Sequence, residues 1–334
     1  MKKHFRWLAV LLAIVLVAAA CGDDDSSSDS ADSSDSASTE EEAVEQTQGG
    51  DLTFHMITHS DDGPFWSVVK RGMEAACADV GVNCVWMPGN NDPGQMVSDI
   101  ETAIGEGSNG IAASLPSPDQ LIGPLQDAVA AGVYTLNSGL NDYTTIGATT
   151  HIGQSEDVAG QGAGLRFNDL GATKVLCAQQ EQSNVGLTER CAGLEETFNG
   201  EVITQFVGLD ADQTEQINGI KAVLEANSDI DGVLGVGPVI TMSALAAAQD
   251  LGIDLTIGGF DMTPELLDAI EAGDVAFTVD QQQYLQGYLP VVLMYLEATN
   301  ANQAGGGLPV LTGPGFVTPD NAAAVKELSA AGTR

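Results

Sequence analysis

Asp51-Leu52-Thr53-Phe54-His55-Met56-Ile57-Thr58-His59-Ser60-Asp61-Asp62-Gly63-Pro64-Phe65-Trp66 is the stretch on which the reading of this chain turns. Leu52, Phe54, Met56 and Ile57 form a short apolar run suited to a strand buried on both faces, and the character changes at once to the turn-forming residues His59 to Pro64. Phe65 and Trp66 come next. With Val68, Val69, Gly72, Met73 and Ala76 behind them, they carry the spacing of one helix face, entered through a proline near the first turn. Two adjacent aromatics at a strand-to-helix junction cannot both face the sheet, so at least one is expected to point over the strand's carboxyl end. In open α/β sheets that edge is where ligands bind.

Outward from this unit the same alternation repeats. Val82 to Met87, Gly110 to Ser114, Val133 to Leu136, Thr173 to Ala178, Val202 to Val207, Gly232 to Val236, Leu255 to Gly258 and Val275 to Val279 read as strands. Met96, Val97, Ile100, Ala103 and Ile104 mark one amphipathic helix between them, and Ile217, Ile220, Val223 and Leu224 another. Alternating strand and helix predicts parallel sheets covered on both faces. About nine strands exceed one tidy sheet, and the weakly periodic stretch Asn137 to Thr150 is the expected exit from a first domain. The predicted fold is α/β, with two doubly wound, Rossmann-like parallel-sheet domains.

A length of 334 residues agrees with two domains. The net charge of -36, with eleven Lys and Arg dispersed along the chain, excludes a basic surface for phosphate and so argues against nucleic acid as a partner. Part of that charge lies in a segment not expected to fold. Lys2, Lys3 and Arg6 precede an apolar run from Trp7 to Ala20 that ends in small residues, the pattern of an export signal over residues 1–20. Cys21 directly after it resembles a bacterial lipobox, which implies a lipidated cysteine; Ala18 stands where that motif usually has Leu. Residues 22–50 are Asp, Ser, Glu and Thr with almost nothing apolar, and read as a solvated, self-repelling tether.

With Cys21 set aside, Cys77, Cys84, Cys177 and Cys191 remain, an even number in an oxidising compartment. Pairing 77 with 84 and 177 with 191 is local and sterically feasible, although four cysteines allow three connectivities. None of the spacings is the short pair of a zinc knuckle, so no metal site is predicted. Gly160, Gly162 and Gly164 lie inside a helical pattern instead of directly after a strand, which points to close helix packing and not to a dinucleotide cradle. No serine elbow, Walker loop or nucleophile-and-base pair is present, and no cofactor is predicted.

The remaining polar residues cluster at predicted strand ends. His59 ends the first strand; Asn137 and Ser138 follow Leu136; Glu181 and Asn184 follow Ala178; Asp261 follows Phe260; Gln281 follows Asp280; Arg190 lies in the helix after Cys177. Each by itself fits a helix cap, a turn or a surface charge. Together with aromatic faces they form the set a neutral polyhydroxy compound needs: paired hydrogen bonds for hydroxyls and a flat ring for the C–H face.

At these residues the chain resembles the exported sugar-binding proteins of ABC importers, of the ribose-binding-protein type. The likeness covers Asp51 to about Val317 and is carried by Gly63-Pro64-Phe65-Trp66, Thr135-Leu136-Asn137-Ser138, His151-Ile152-Gly153-Gln154, Gly258-Gly259-Phe260-Asp261 and Asp280-Gln281-Gln282. The segment from Cys177 to Cys191, with Gln180, Glu181, Asn184 and Arg190, resembles a subgroup for sugars or short sugar alcohols. The resemblance implies a type I periplasmic binding protein with Phe65 and Trp66 on the ligand's apolar face, and with His59, Asn137, Gln154, Glu181, Asn184, Arg190, Asp261 and Gln281 as ligand-binding residues. It also implies three interdomain crossings, near Gly153, Gln281 and Leu311. The lobes would be 51–153 plus 282–310 and 154–281 plus 311–334. Where the family often has Asp-Arg this chain has Asn137-Ser138, and where it often has Asn it has Gly237-Pro238; the losses favour a small or flexible ligand such as a pentitol or tetritol. The implied role is a monomeric, lipid-anchored receptor on the outer face of the cytoplasmic membrane that delivers a neutral monosaccharide or polyol to a permease. An exported enzyme, or a sensing receptor akin to the effector domains of lactose-repressor-type regulators, are the alternatives; turnover of a compound, or the absence of a neighbouring permease gene, would favour them.

Overall fold

The computed structural model describes residues 49–334 apart from 62, 210 and 211. The expected export signal, the Cys21 lipidation site and residues 22–48 of the tether lie outside the described residues.

The first half alternates as β1 (Thr53–Thr58), α1 (Gly63–Val80), β2 (Asn83–Pro88), α2 (Pro93–Gly105), β3 (Gly110–Ser114), α3 (Pro118–Asp127), β4 (Val133–Leu136), α4 (Tyr143–Ile146) and β5 (Thr150–Gln154). The second continues as α5 (Glu156–Leu170), β6 (Lys174–Gln179), α6 (Val185–Thr197), β7 (Glu201–Phe206), α7 (Gln213–Ala226), β8 (Gly232–Gly235), α8 (Pro238–Leu251), β9 (Thr256–Phe260), α9 (Pro264–Ala272) and β10 (Phe277–Asp280). After these come α10 (Gln283–Asn300), β11 (Val310–Gly313), β12 (Gly315–Val317) and α11 (Ala322–Ala330).

Two six-stranded sheets result, in the orders β11-β5-β4-β3-β1-β2 and β12-β10-β9-β8-β6-β7. In each, the order reverses beside a strand pair that opens a crevice at the carboxyl edge, the geometry of doubly wound sheets. The first sheet is parallel throughout, with Phe54 facing Cys84 on one side and Gly110 on the other. The second departs from the expected all-parallel arrangement, because β12 runs antiparallel to β10. Only Pro314 separates β11 from β12, a link too short for a parallel crossover.

The chain passes between sheets three times: after Gln154, between Asp280 and Gln283, and between Gly313 and Gly315. The stretch Asn137 to Thr150 is not the exit from the first domain. It holds α4, capped by Gly147 in the left-handed region, and returns as β5 beside β4. Helix α10 goes back to the first sheet and packs along α1.

Each sheet is sealed by its own cores. Phe54, Met56, Trp66, Val69 and Met73 join Val291 and Met294 of α10 on one face of the first sheet, while Ile57, Ile111 and Leu121 fill the other with Met96 and Ile100 of α2. In the second, α5 and α6 pack so closely that a Cβ on Gly160 would collide with the carbonyl oxygen of Arg190. This is the helix-packing role expected for Gly160, and it fixes where α6 presents its arginine.

Candidate functional site

The two carboxyl edges face each other, and direct hydrogen bonds join them. Asn137 Nδ2 donates to Gln281 Oε1 at 3.2 Å, Ser138 Oγ to Asn184 Oδ1 at 3.0 Å, and the Val185 amide to the Pro116 carbonyl at 3.1 Å. Further out, Asn141 Nδ2 donates to Glu189 Oε1 at 2.9 Å. The gap between these edges is the candidate site.

From the first sheet come His59, Asn137 and Gln154, each directly at a strand end. The His59 amide donates to Ser114 Oγ at 2.9 Å, and the same oxygen lies 2.9 Å from His59 Nδ1. Burial holds the His59 pKa below its ordinary value, with Glu181 pulling upward and Arg190 adding to the depression; a residue of one lobe thus feels charges of the other. Its ring sits edge-on to Trp66 at 4.8 Å, and Phe65 lies edge-on to Trp66 at 4.9 Å. Trp66 is buried in the core beside β1, whereas Phe65 is only half buried. Of the two aromatics, Phe65 keeps the freer face.

Asn137 and Asp261 both have left-handed backbones, φ 58° and 62°. Asn and Asp tolerate this region better than other non-glycine residues, and it turns the chain sharply off β4 and β9 at the edge. Asp261 is buried; its Oδ1 accepts from Gln281 Nε2 at 2.7 Å. Gln281 Oε1 takes Gln286 Nε2 at 2.9 Å besides Asn137, and the Gln281 carbonyl accepts from Thr312 Oγ1 at 2.8 Å. Gln281 therefore ties together the second crossing, β11 and both lobes.

Arg190 is the buried cation of the site. Its Nε donates to Glu156 Oε2 at 2.6 Å, Nη2 to Glu156 Oε1 at 3.2 Å, and Nη1 to the Val236 carbonyl at 2.7 Å. Asp261 Oδ2 lies 3.8 Å from Nη1, and the guanidinium sits 4.5 Å from the centre of the Phe260 ring. A forked pair with further hydrogen bonds is the arrangement that lets a charge pair stay buried. Burial pushes the Asp261 carboxyl up to about 7, against the opposing pull of Arg190 and the Gln281 amide. Glu181 is half buried and accepts from Asn184 Nδ2 at 3.0 Å, while Asn184 Oδ1 caps α6 at the Gly186 amide, also 3.0 Å.

The ten residues singled out from the sequence thus lie at these two edges or, for Phe65, Trp66 and Arg190, on the helices beginning there. Glu156 was not among them. In sequence it is the first residue of a helix behind the capping Ser155, an ordinary place for an acid; nothing local connects it to Arg190, 34 positions on. Yet Glu156 orients the arginine and also accepts from Gln154 Nε2 at 2.7 Å. Among the described residues no group of three or more His, Cys, Asp or Glu side chains is arranged to hold a metal ion. Cys77 adjoins Cys84, and Cys177 adjoins Cys191, with Cα–Cα separations of 6.2 and 5.9 Å.

The arrangement offers several donors and acceptors, one cation already neutralised and one half-free aromatic face. That is equipment for gripping hydroxyls. Comparison with known proteins agrees. Residues 54–302 match the model of the periplasmic binding protein domain. A xylose/arabinose-binding protein of Sulfolobus acidocaldarius is 28% identical over 285 residues, 79% of this chain and 70% of that one. A ribose import binding protein of Haemophilus influenzae is 24% identical over 260 residues, 75% and 87% of the two chains. A solved carbohydrate transporter from Acidothermus cellulolyticus 11B, in complex with myo-inositol, is 37% identical, with a TM-score of 0.81 over 85% of this chain and 99% of that one.

Proposed function

The chain belongs to the periplasmic binding protein family, and from that premise we propose that its two lobes close on one small neutral polyol and present it to a membrane permease. It is the sugar-binding component of an ABC importer and works outside the cytoplasm. The finer reading is that His59, Asn137, Gln154, Glu181, Asn184, Arg190, Asp261 and Gln281 hydrogen-bond the ligand, with Phe65 against its C–H face and Trp66 backing Phe65 edge-on from the core. The lobes that move follow the two sheets, 51–154 with 283–313 and 155–280 with 315–334, so the last crossing falls at Pro314, three residues beyond the Leu311 expected from the sequence. A ring polyol such as myo-inositol, or a pentose, is the ligand class favoured by the solved relative and the curated ones. The observation that carries this is the continuous polar chain Asn137–Gln281–Asp261–Arg190–Glu156, which spans both sheets and is buried along its length.

The protein binds its ligand without altering it. Ser114, the hydroxyl beside His59, is fully buried and its oxygen is occupied by the His59 amide, so it is poorly placed as a nucleophile. Cys21 carries a lipid that keeps the monomeric receptor at the membrane, and fatty-acid labelling abolished by Cys21→Ser tests this. Cys77–Cys84 and Cys177–Cys191 are disulfides, to be checked by intact mass before and after reduction.

Ligand that binds only the native state raises its stability by mass action, by about 3 kcal/mol at a hundred times Kd. Residues 51–334 are therefore expected to melt at a higher temperature with myo-inositol, xylose, arabinose or ribose. No shift across a wide panel of sugars and polyols overturns the reading.

A further inference from the structure

Gln180, the residue directly after β6, stands out among the polar groups of the second carboxyl edge. It is 5% exposed, and its Oε1 is buried with no hydrogen-bond partner among the described residues. Leaving a buried carboxamide oxygen unpaired costs more than a typical hydrogen bond returns, so an acceptor in this state points to a donor supplied from outside the fold. Its neighbours place it in the gap: Glu181 and Asn184 follow in the same loop, and Arg190 donates to Val236 on the adjoining β8 edge.

Gly237, which follows Val236, faces the Gln180 carboxamide. Its backbone is extended, with φ −163°, so glycine is not required there for conformation. What it supplies is room, because a Cβ at 237 would lie 2.5 Å from Gln180 Nε2 and the carboxamide end would have to shift. The Gln180 carboxamide occupies the volume that a side chain at 237 would otherwise project into.

We propose that Gln180 is a specificity-determining ligand contact, whose carboxamide, seated in the space left by the missing side chain at 237, accepts a hydrogen bond from one ligand hydroxyl through its oxygen. This rests on the reading of the gap as a polyol site and adds to it a reader that belongs to neither of the charged groups there. A site built to accept from a hydroxyl discriminates strongly against an analogue lacking it, since the acceptor is then left buried and unpaired.

The test is calorimetric titration of myo-inositol, xylose, arabinose and ribose into residues 51–334 as wild type, Gln180→Ala, Gly237→Ala and the double variant. The expected result is a loss of affinity of about tenfold or more for each single variant, with unliganded melting temperatures close to wild type. The double variant should be no weaker than Gln180→Ala, because the Cβ at 237 acts only by displacing the amide. Wild-type affinity in Gln180→Ala, alongside binding lost in Arg190→Met, overturns the proposal and leaves the polyol site standing. Additive losses also overturn it, as does a large fall in the unliganded melting temperature of Gln180→Ala, which would mark the amide as structural. If no sugar or polyol binds the wild type, the polyol reading itself fails and the proposal with it.

Discussion

Asp261 is the residue whose chemistry sets the pH behaviour of the site. Its carboxyl, pushed up to about 7 by burial, keeps a proton in the folded chain that the unfolded chain releases near the ordinary value of 3.8. Folded protein therefore binds more protons between these values, so this group's contribution to stability is largest at the acid end and is lost as pH rises towards 7. A ligand hydroxyl donating to the carboxylate favours the charged form and reverses the preference. Affinity is expected to be flat above about pH 7 and to fall below it, by up to about tenfold per unit. Titration calorimetry across that range, with proton uptake measured in two buffers, checks the slope; Asp261→Asn should flatten it, and a wild-type affinity that does not change below pH 7 contradicts the assignment. Glu156 has a different task. Removing it strands a buried cation, which costs about 3–5 kcal/mol where such pairs have been broken. Glu156→Ala should lower the urea midpoint accordingly and Glu156→Gln less, since the amide oxygen still accepts from Arg190; equal midpoints would show that the pair does not hold the guanidinium.

At the scale of elements, the helix pair α5–α6 controls the aim of Arg190. Gly160→Ala puts a methyl against the Arg190 carbonyl oxygen, and overpacking of this kind costs about 1–3 kcal/mol. It should lower both the melting temperature and ligand affinity, because the residue pushed away is the one that carries the cation. Gly123 in α3, with nothing within 4 Å of its would-be Cβ, should accept Ala with no loss of stability or affinity; equal behaviour of the two variants would refute the packing argument. The same scale explains what could be read in advance. Strands such as Gly110–Ser114 and Val133–Leu136, with their apolar runs, stand out in the sequence and form at those positions. Thr150–Gln154 does not, because Thr150, His151 and Gln154 are buried polar residues that leave no apolar run. Gly315–Val317 is too short to carry any period. For the site, residues at strand ends were legible because topology sends every parallel carboxyl edge to the ligand side; Glu156 and the pairing of Gln180 with Gly237 were not, because they depend on distances between segments far apart in sequence.

For the whole molecule, three crossings join the two sheets, and hinges between domains are built from a few element-terminal residues. Gln282 has φ 54°, its amide donates to Asp280 Oδ1 at 2.8 Å, and Arg334 Nε donates to Asp280 Oδ2, also at 2.8 Å. The contacts Asn137–Gln281 and Ser138–Asn184 join the two carboxyl edges directly. A site shared by the two lobes requires that a single ligand be held from both sides at once. Calorimetric titration of myo-inositol, or of whichever polyol stabilises residues 51–334, into Asn137→Ala on one lobe and Arg190→Met on the other tests this most directly. One ligand per chain, with affinity reduced by about tenfold or more in each variant, is the predicted result; full affinity in either variant would mean that one lobe binds alone, and would contradict it.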